Sequence, residues 1–113
     1  MISPTLTNAF ISLERPTITI DELAGSKREI WNIMEGCENI PASIQPVSSM
    51  VRHEYAARQI VITHRIYTRK NLSPKRGDRL RPSKSEVYYI VSGFFNVAGR
   101  NEVFVIEARE VTT

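Results

Sequence analysis

The sequence predicts a mainly β fold: a small closed antiparallel barrel of six or seven strands, with one short helix inserted at about 49–59 and a long basic loop at about 70–81. Three observations lead there. Short apolar segments follow one another closely with turn residues between them, which favours antiparallel pairing. Only one segment carries helical spacing. With no second helix to cover a flat sheet, closure into a barrel is economical, and it also removes exposed edges.

The elements follow in chain order. Residues 1–8 read as a flexible N-terminal arm. Phe10–Glu14 is a short strand stopped by Arg15-Pro16. Thr17–Arg28 reads as a loop punctuated by Asp21 and Gly25-Ser26, with room for a brief strand at Thr17–Ile20. Glu29–Met34 is the next strand, ended or bulged at Gly36. Asn39–Gln45 sets Ile40, Ala42 and Ile44 against Pro41, Ser43 and Gln45. Pro41 lacks an N–H for the ladder and demands an edge or a bulge.

Ser48 and Ser49 offer an N-cap for about three helical turns reaching Gln59, with Val51 and Tyr55 four apart. Ile60–Arg69 is the clearest strand. Ile60, Ile62, His64 and Ile66 share one of its faces; Val61, Thr63, Arg65 and Tyr67 share the other. Asn71–Asp78 is a loop, and Arg79–Arg81 a short strand. Glu86–Phe95 and Glu102–Val111 are the last two strands, with a bulge expected at Gly93. The expected core is Trp31, Ile44, Ile62, Ile66, Ile90, Phe104 and Ile106.

The last two strands carry apolar residues in both registers: Tyr88, Ile90, Phe94, Phe104 and Ile106 at even positions, Val87, Tyr89, Val91, Val103 and Val105 at odd ones. A small barrel buries only its inner face. The outer set therefore calls for cover by the helix, the long loop or a neighbouring subunit.

Composition sets the bounds. The 113 residues are expected to form one domain, with 42% hydrophobic and 24% charged residues, an ordinary globular balance. A net charge of +3 is too small to define a nucleic-acid binder by itself. Cys37 is the only cysteine, so no intrachain disulfide forms, and a reducing compartment is the simplest setting. The opening Met-Ile-Ser-Pro-Thr-Leu has no cationic region before an apolar core, and no apolar run approaches a membrane span. A soluble protein made in a cytoplasm, without membrane partners, is expected.

No constellation carries chemistry, so no enzyme activity, cofactor or metal is expected. His53, His64 and Cys37 have no metal-site spacing. Cys37 stands between Glu35 and Glu38, a poor setting for a thiolate nucleophile. The scattered carboxylates single out no acid–base pair. Lys75-Arg76-Gly77-Asp78 has one glycine and is not a phosphate-cradling loop.

The strongest charge signal is basic. Arg69, Lys70, Lys75, Arg76, Arg79, Arg81 and Lys84 crowd one segment with Asp78 as its only acid. Lys70, Lys75, Arg76, Arg79 and Arg81 are the candidates for contact with DNA phosphates or with an acidic neighbouring ring. A solvated loop is the plainer reading. A free-standing nucleic-acid-binding barrel is the alternative, although only Tyr67 stands beside the cluster as a stacking aromatic. On the helix, Met50, Val51, Glu54, Tyr55 and Arg58 are the candidates for subunit contact.

The order of these segments resembles the phage head–tail joining family, the head-closure, stopper or adaptor proteins of long-tailed bacteriophages. Ile11-Ser-Leu-Glu-Arg-Pro16 is similar to its opening strand. Asp21-Glu-Leu-Ala-Gly25 with Glu29-Ile-Trp31 is similar to its acidic-glycine loop and tryptophan strand. Ile40-Pro-Ala-Ser-Ile-Gln-Pro46, Tyr55-Ala-Ala57, Thr63-His-Arg-Ile66, Gly77-Asp-Arg79 and Val87-Tyr-Tyr-Ile90 continue the order. The Trp31–Ala42 segment is longer than the family pattern, and Pro41 stands where the family has tryptophan.

The resemblance implies a small β-barrel with a helix-bearing loop, assembled as a homo-oligomeric ring. Its implied partners are a portal adaptor above, a tail-completion or tail-tube protein below, and packaged DNA in the channel. The implied location is the virion's head–tail junction, after assembly in the host cytoplasm.

Overall fold

The computed structural model describes residues 9–21, 23, 25–83 and 85–112. The expected N-terminal arm at 1–8 lies outside the described residues, as does Lys84 of the basic cluster.

The closed antiparallel barrel is present. Seven strands form one sheet: β1 (Ala9–Asp21), β2 (Ser26–Ile33), β3 (Ile40–Pro46), β4 (His64–Thr68), β5 (Arg79–Pro82), β6 (Val87–Asn96) and β7 (Phe104–Thr112). The order is β2-β1-β3-β4-β7-β6-β5, and β5 returns to pair with β1. Six strands thus close the ring and β2 hangs outside it. One α-helix, α1 (Ser49–Ala56), bridges β3 and β4.

Strand β1 makes this arrangement possible because it changes partners along its length. Ala9–Ile11 pairs with β3, Ile11–Glu14 with β5, and Glu14–Asp21 with β2. Its first half is barrel wall and its second half is one arm of a two-stranded ribbon. The expectation that Arg15-Pro16 stops the strand and that Thr17–Arg28 is a loop is therefore wrong. Thr17-Ile-Thr-Ile20 alternates as β structure does, and Gly25 takes the positive φ (66°) that a tight reversal needs.

The core is built from alternate residues of the six barrel strands. Ile11 and Leu13, Ile40 and Ala42, Ile66, Leu80, Tyr89 and Val91, and Ile106 and Ala108 pack together, joined by Cys37 and Leu72 from loops. Ile62, Ile66, Phe104 and Ile106 are buried as expected, whereas Ile44 and Ile90 are half-buried. Trp31 is also half-buried, and it belongs to the ribbon rather than the core.

The bulge near Gly93 resolves the doubly apolar strands. The β6–β7 register slips between Val91 and Gly93. The slip reverses side-chain parity, so Val87, Tyr89 and Val91 before it and Phe94 after it all serve the core. On β7, Phe104, Val105, Ile106 and Ala108 are all buried within the chain. Val105 is flanked in register by Tyr67 and Phe95. Val105 is thus covered within the chain, while Phe95 beside it stays 44% exposed.

Two boundaries also differ. The helix stops at Ala56 because the chain turns through Gln59 at positive φ (63°), and the Ile60 N–H bonds back to the Tyr55 carbonyl. Ser48 is its N-cap, its hydroxyl accepting from the Val51 N–H at 3.2 Å. Regular β4 begins only at His64, and residues 60–63 lead into it irregularly. Their end is held by the Val47 N–H to Thr63 carbonyl and Thr63 N–H to Ala108 carbonyl bonds. Pro41 lies outside the β3–β4 ladder, which starts at Ala42, so its missing N–H breaks no pairing there.

Candidate contact surfaces

The basic segment is pinned at several points. Leu72 is buried, and the Asn71 side chain accepts the Ser73 N–H. Asp78 is buried and accepts both Nε and Nη2 of Arg15, at 3.0 and 2.9 Å, and the Lys75 N–H at 2.8 Å. The hydrogen bond to Asp78 raises the Arg15 guanidinium above its ordinary range despite an opposing burial effect. Gly77 donates to the Val91 carbonyl and Val91 donates to the Asp78 carbonyl, fastening the loop end to β6. The only acid of the basic segment is thus the clamp that fixes the turn.

The five expected contact cations do not act alike. Arg79 and Arg81 lie on β5, and both donate to Oε1 of Glu14, at 2.5 and 3.3 Å. Their partner residues on β1 are Glu14 and Ser12. Arg79 also stacks between Trp31 at 4.2 Å and Tyr88 at 5.2 Å, and Arg81 lies 5.6 Å from Tyr88. These two arginines tie the ribbon to the barrel wall, and Glu14 offsets much of their charge. Lys70 donates to the Gly36 carbonyl, which leaves its charge exposed. Lys75 and Arg76 sit exposed at the turn. Lys70, Lys75 and Arg76 therefore make the available basic surface.

The helix candidates also divide. Val51 and Tyr55 are half-buried toward the barrel, and the Tyr55 hydroxyl accepts from Arg65 Nη2 at 3.3 Å. Burial acts to lower the Arg65 guanidinium, but Tyr55 and Glu107 outweigh it and the net shift is upward. Met50, Glu54 and Arg58 are exposed. Cys37, His53 and His64 do not come together as a three-ligand group; Cys37 is buried, His53 exposed and His64 set edge-on to Tyr89.

The surface that the sequence reading missed is the ribbon. Register places Ile18, Ile20, Trp31 and Ile33 on one face, together with Glu14, Pro16, Lys27 and Glu29. Ile18 and Ile20 are 66% and 61% exposed. The available signal was the alternation on either side of Asp21–Gly25, which is a hairpin pattern.

No protein-family model and no curated protein matches this chain. Among solved structures it is similar to protein SF1141 from Shigella flexneri 2a, known from a solution structure. The TM-score is 0.67 at 21% identity, over 92% of each chain. At that identity the likeness establishes a shared fold. No helix among the described residues is long and apolar enough to cross a membrane.

Proposed function

We propose that this chain is a virion structural protein that closes the DNA-filled head below the portal adaptor and forms the joining platform for the tail. The observation that carries this reading is the coincidence of segment order with architecture. The segments that resemble the head–tail joining family form a closed antiparallel barrel with a helix between β3 and β4, the fold that resemblance implies. Binding, not chemistry, is the mechanism.

In this reading Lys70, Lys75 and Arg76 face channel DNA or the next ring, where neutralisation of phosphate needs charge and no base contacts. Met50, Glu54 and Arg58 form the solvent side of a subunit contact, while Val51 and Tyr55 hold the helix in place for it. The partners are sister copies in a ring, the portal adaptor, a tail-completion or tail-tube protein, and packaged DNA. The site of action is the head–tail junction, reached by assembly in the host cytoplasm.

The test is assembly without the protein. The expected result is filled heads that leak DNA, alongside free tails. Normal infectious particles from the deletion would end the reading. Tight, salt-sensitive affinity of the isolated chain for free DNA or RNA would instead favour the free-standing nucleic-acid-binding barrel.

A further inference from the structure

Among the described residues, the ribbon carries two strand edges outside the closed ring of six strands. The β1 ladder to β5 ends at Glu14, so residues 15–21 have no described partner on that side. Among the described residues, strand β2 pairs with β1 alone and stands at the end of the sheet order. The two edges are unequal. Pro16 removes a donor from the β1 edge. Strand β2, Ser-Lys-Arg-Glu-Ile-Trp-Asn-Ile, has eight residues with no proline or glycine, and all of them but Trp31 are exposed.

We infer that the free edge of β2 pairs antiparallel with the same strand of a second copy of this chain, about a two-fold axis at Arg28. Charge selects the partner and the register. An antiparallel two-fold pair centred on Arg28 sets Lys27 directly opposite Glu29 of the second copy, and symmetry makes that contact twice. Centring on Lys27 or Glu29 also sets a like-charged residue against itself, but leaves no Lys27–Glu29 pair to offset it. Lys27 and Glu29 share the face that carries Ile18 and Ile20. The four-stranded sheet β1-β2-β2-β1 therefore joins two exposed isoleucine rows across a charged seam. Arg28 meets its own copy on the axis, on the opposite face, and is the one unfavourable pair. The inference does not rest on the head–tail reading, because it concerns the purified chain alone.

Sedimentation of the purified protein across concentrations, with charge-reversal variants, tests it. The wild type is expected to be a concentration-dependent dimer. Lys27→Glu and Glu29→Lys should each weaken the dimer about tenfold or more, and the double exchange Lys27→Glu/Glu29→Lys should restore it. Lys27 and Glu29, like Arg28 and Asn32, lie exposed on the ribbon, so folding is not at stake. Register has its own readout. Directly opposite Cα atoms in an antiparallel pair stand about 4.5–5.5 Å apart, within disulfide reach. Arg28→Cys should crosslink into dimers under mild oxidant, and Asn32→Cys should not. A monomer at every concentration, single reversals without effect, a double exchange that fails to restore, or crosslinking at 32 in place of 28 would each overturn the inference.

Discussion

Strands β7 and β2 are nearly the same length, nine and eight residues, and both run in antiparallel ladders. They differ in what surrounds them. Strand β7 has β4 on one side and β6 on the other, and four of its first five residues are buried. Strand β2 has one neighbour, and seven of its eight residues are exposed. An isolated two-stranded ribbon is marginal in water, so β2 depends on its tether to the barrel. The Glu14–Arg79–Trp31 contacts supply that tether. The same antiparallel ladder is a stability element in one place and an offered surface in the other.

Substitutions should separate the two regions sharply. Ile106 is 0% exposed at the centre of the barrel. Ile106→Ala is expected to cost about 3 kcal/mol by chemical denaturation, from lost burial and the cavity left behind. A loss below about 1 kcal/mol would mean the barrel interior is not the stability core.

Asp78→Ala should come next, at about 2 kcal/mol. It strands Arg15 and the Lys75 N–H together, although the partial exposure of Arg15 (28% of its side chain) softens the loss. Asp78→Asn should cost less because it keeps an acceptor. Equal effects from the two variants would contradict the clamp described for Asp78.

Tyr89 sharpens the comparison through pH. Burial, helped by Glu110, pushes its phenol above the ordinary value of 10.0. The folded state holds that proton longer than the unfolded chain does, so the contribution is complete below the ordinary value. It is lost as pH rises through the folded value. Denaturation midpoints should fall in that alkaline window, and Tyr89→Phe should remove part of the fall. An unchanged alkaline slope in the variant would show that Tyr89 does not titrate with unfolding. The smallest effect should come from the ribbon: Ile18→Ser is expected to shift monomer stability by less than about 0.5 kcal/mol.

Much of the barrel was legible because its signals are local. The Val-, Tyr-, Ile- and Phe-rich runs of Glu86–Phe95 and Glu102–Val111, the bulge at Gly93 and the serine cap before Val51 each need only a few residues to read. The closure of β5 onto β1 joins residues some 65 positions apart, and no periodicity reports it; the Glu14–Arg79 bond is its visible consequence. The ribbon was misread because Arg15-Pro16 looked like a stop. Pro16 is tolerated there because β1 has become an edge strand beyond Glu14. Trp31 was placed in the core, yet its ring lies against the Arg79 guanidinium. The parity switch at the bulge is why Tyr89 and Phe94 can serve one core from opposite registers. The basic cluster was legible as composition, but the pairing of Arg79 and Arg81 with Glu14 depended on the fold.

Native-state hydrogen exchange tests the central contrast most directly, measured on dilute protein and again on concentrated protein. In dilute protein the amides of β4, β6 and β7 should exchange only through global unfolding, while the outward-facing amides of Ser26–Ile33 exchange orders of magnitude faster. In the concentrated protein the β2 amides should slow toward the barrel's rates. Strong protection of β2 in the dilute chain, or fast exchange of β2 in both states, would contradict a barrel that supplies the stability and a ribbon that supplies the contact.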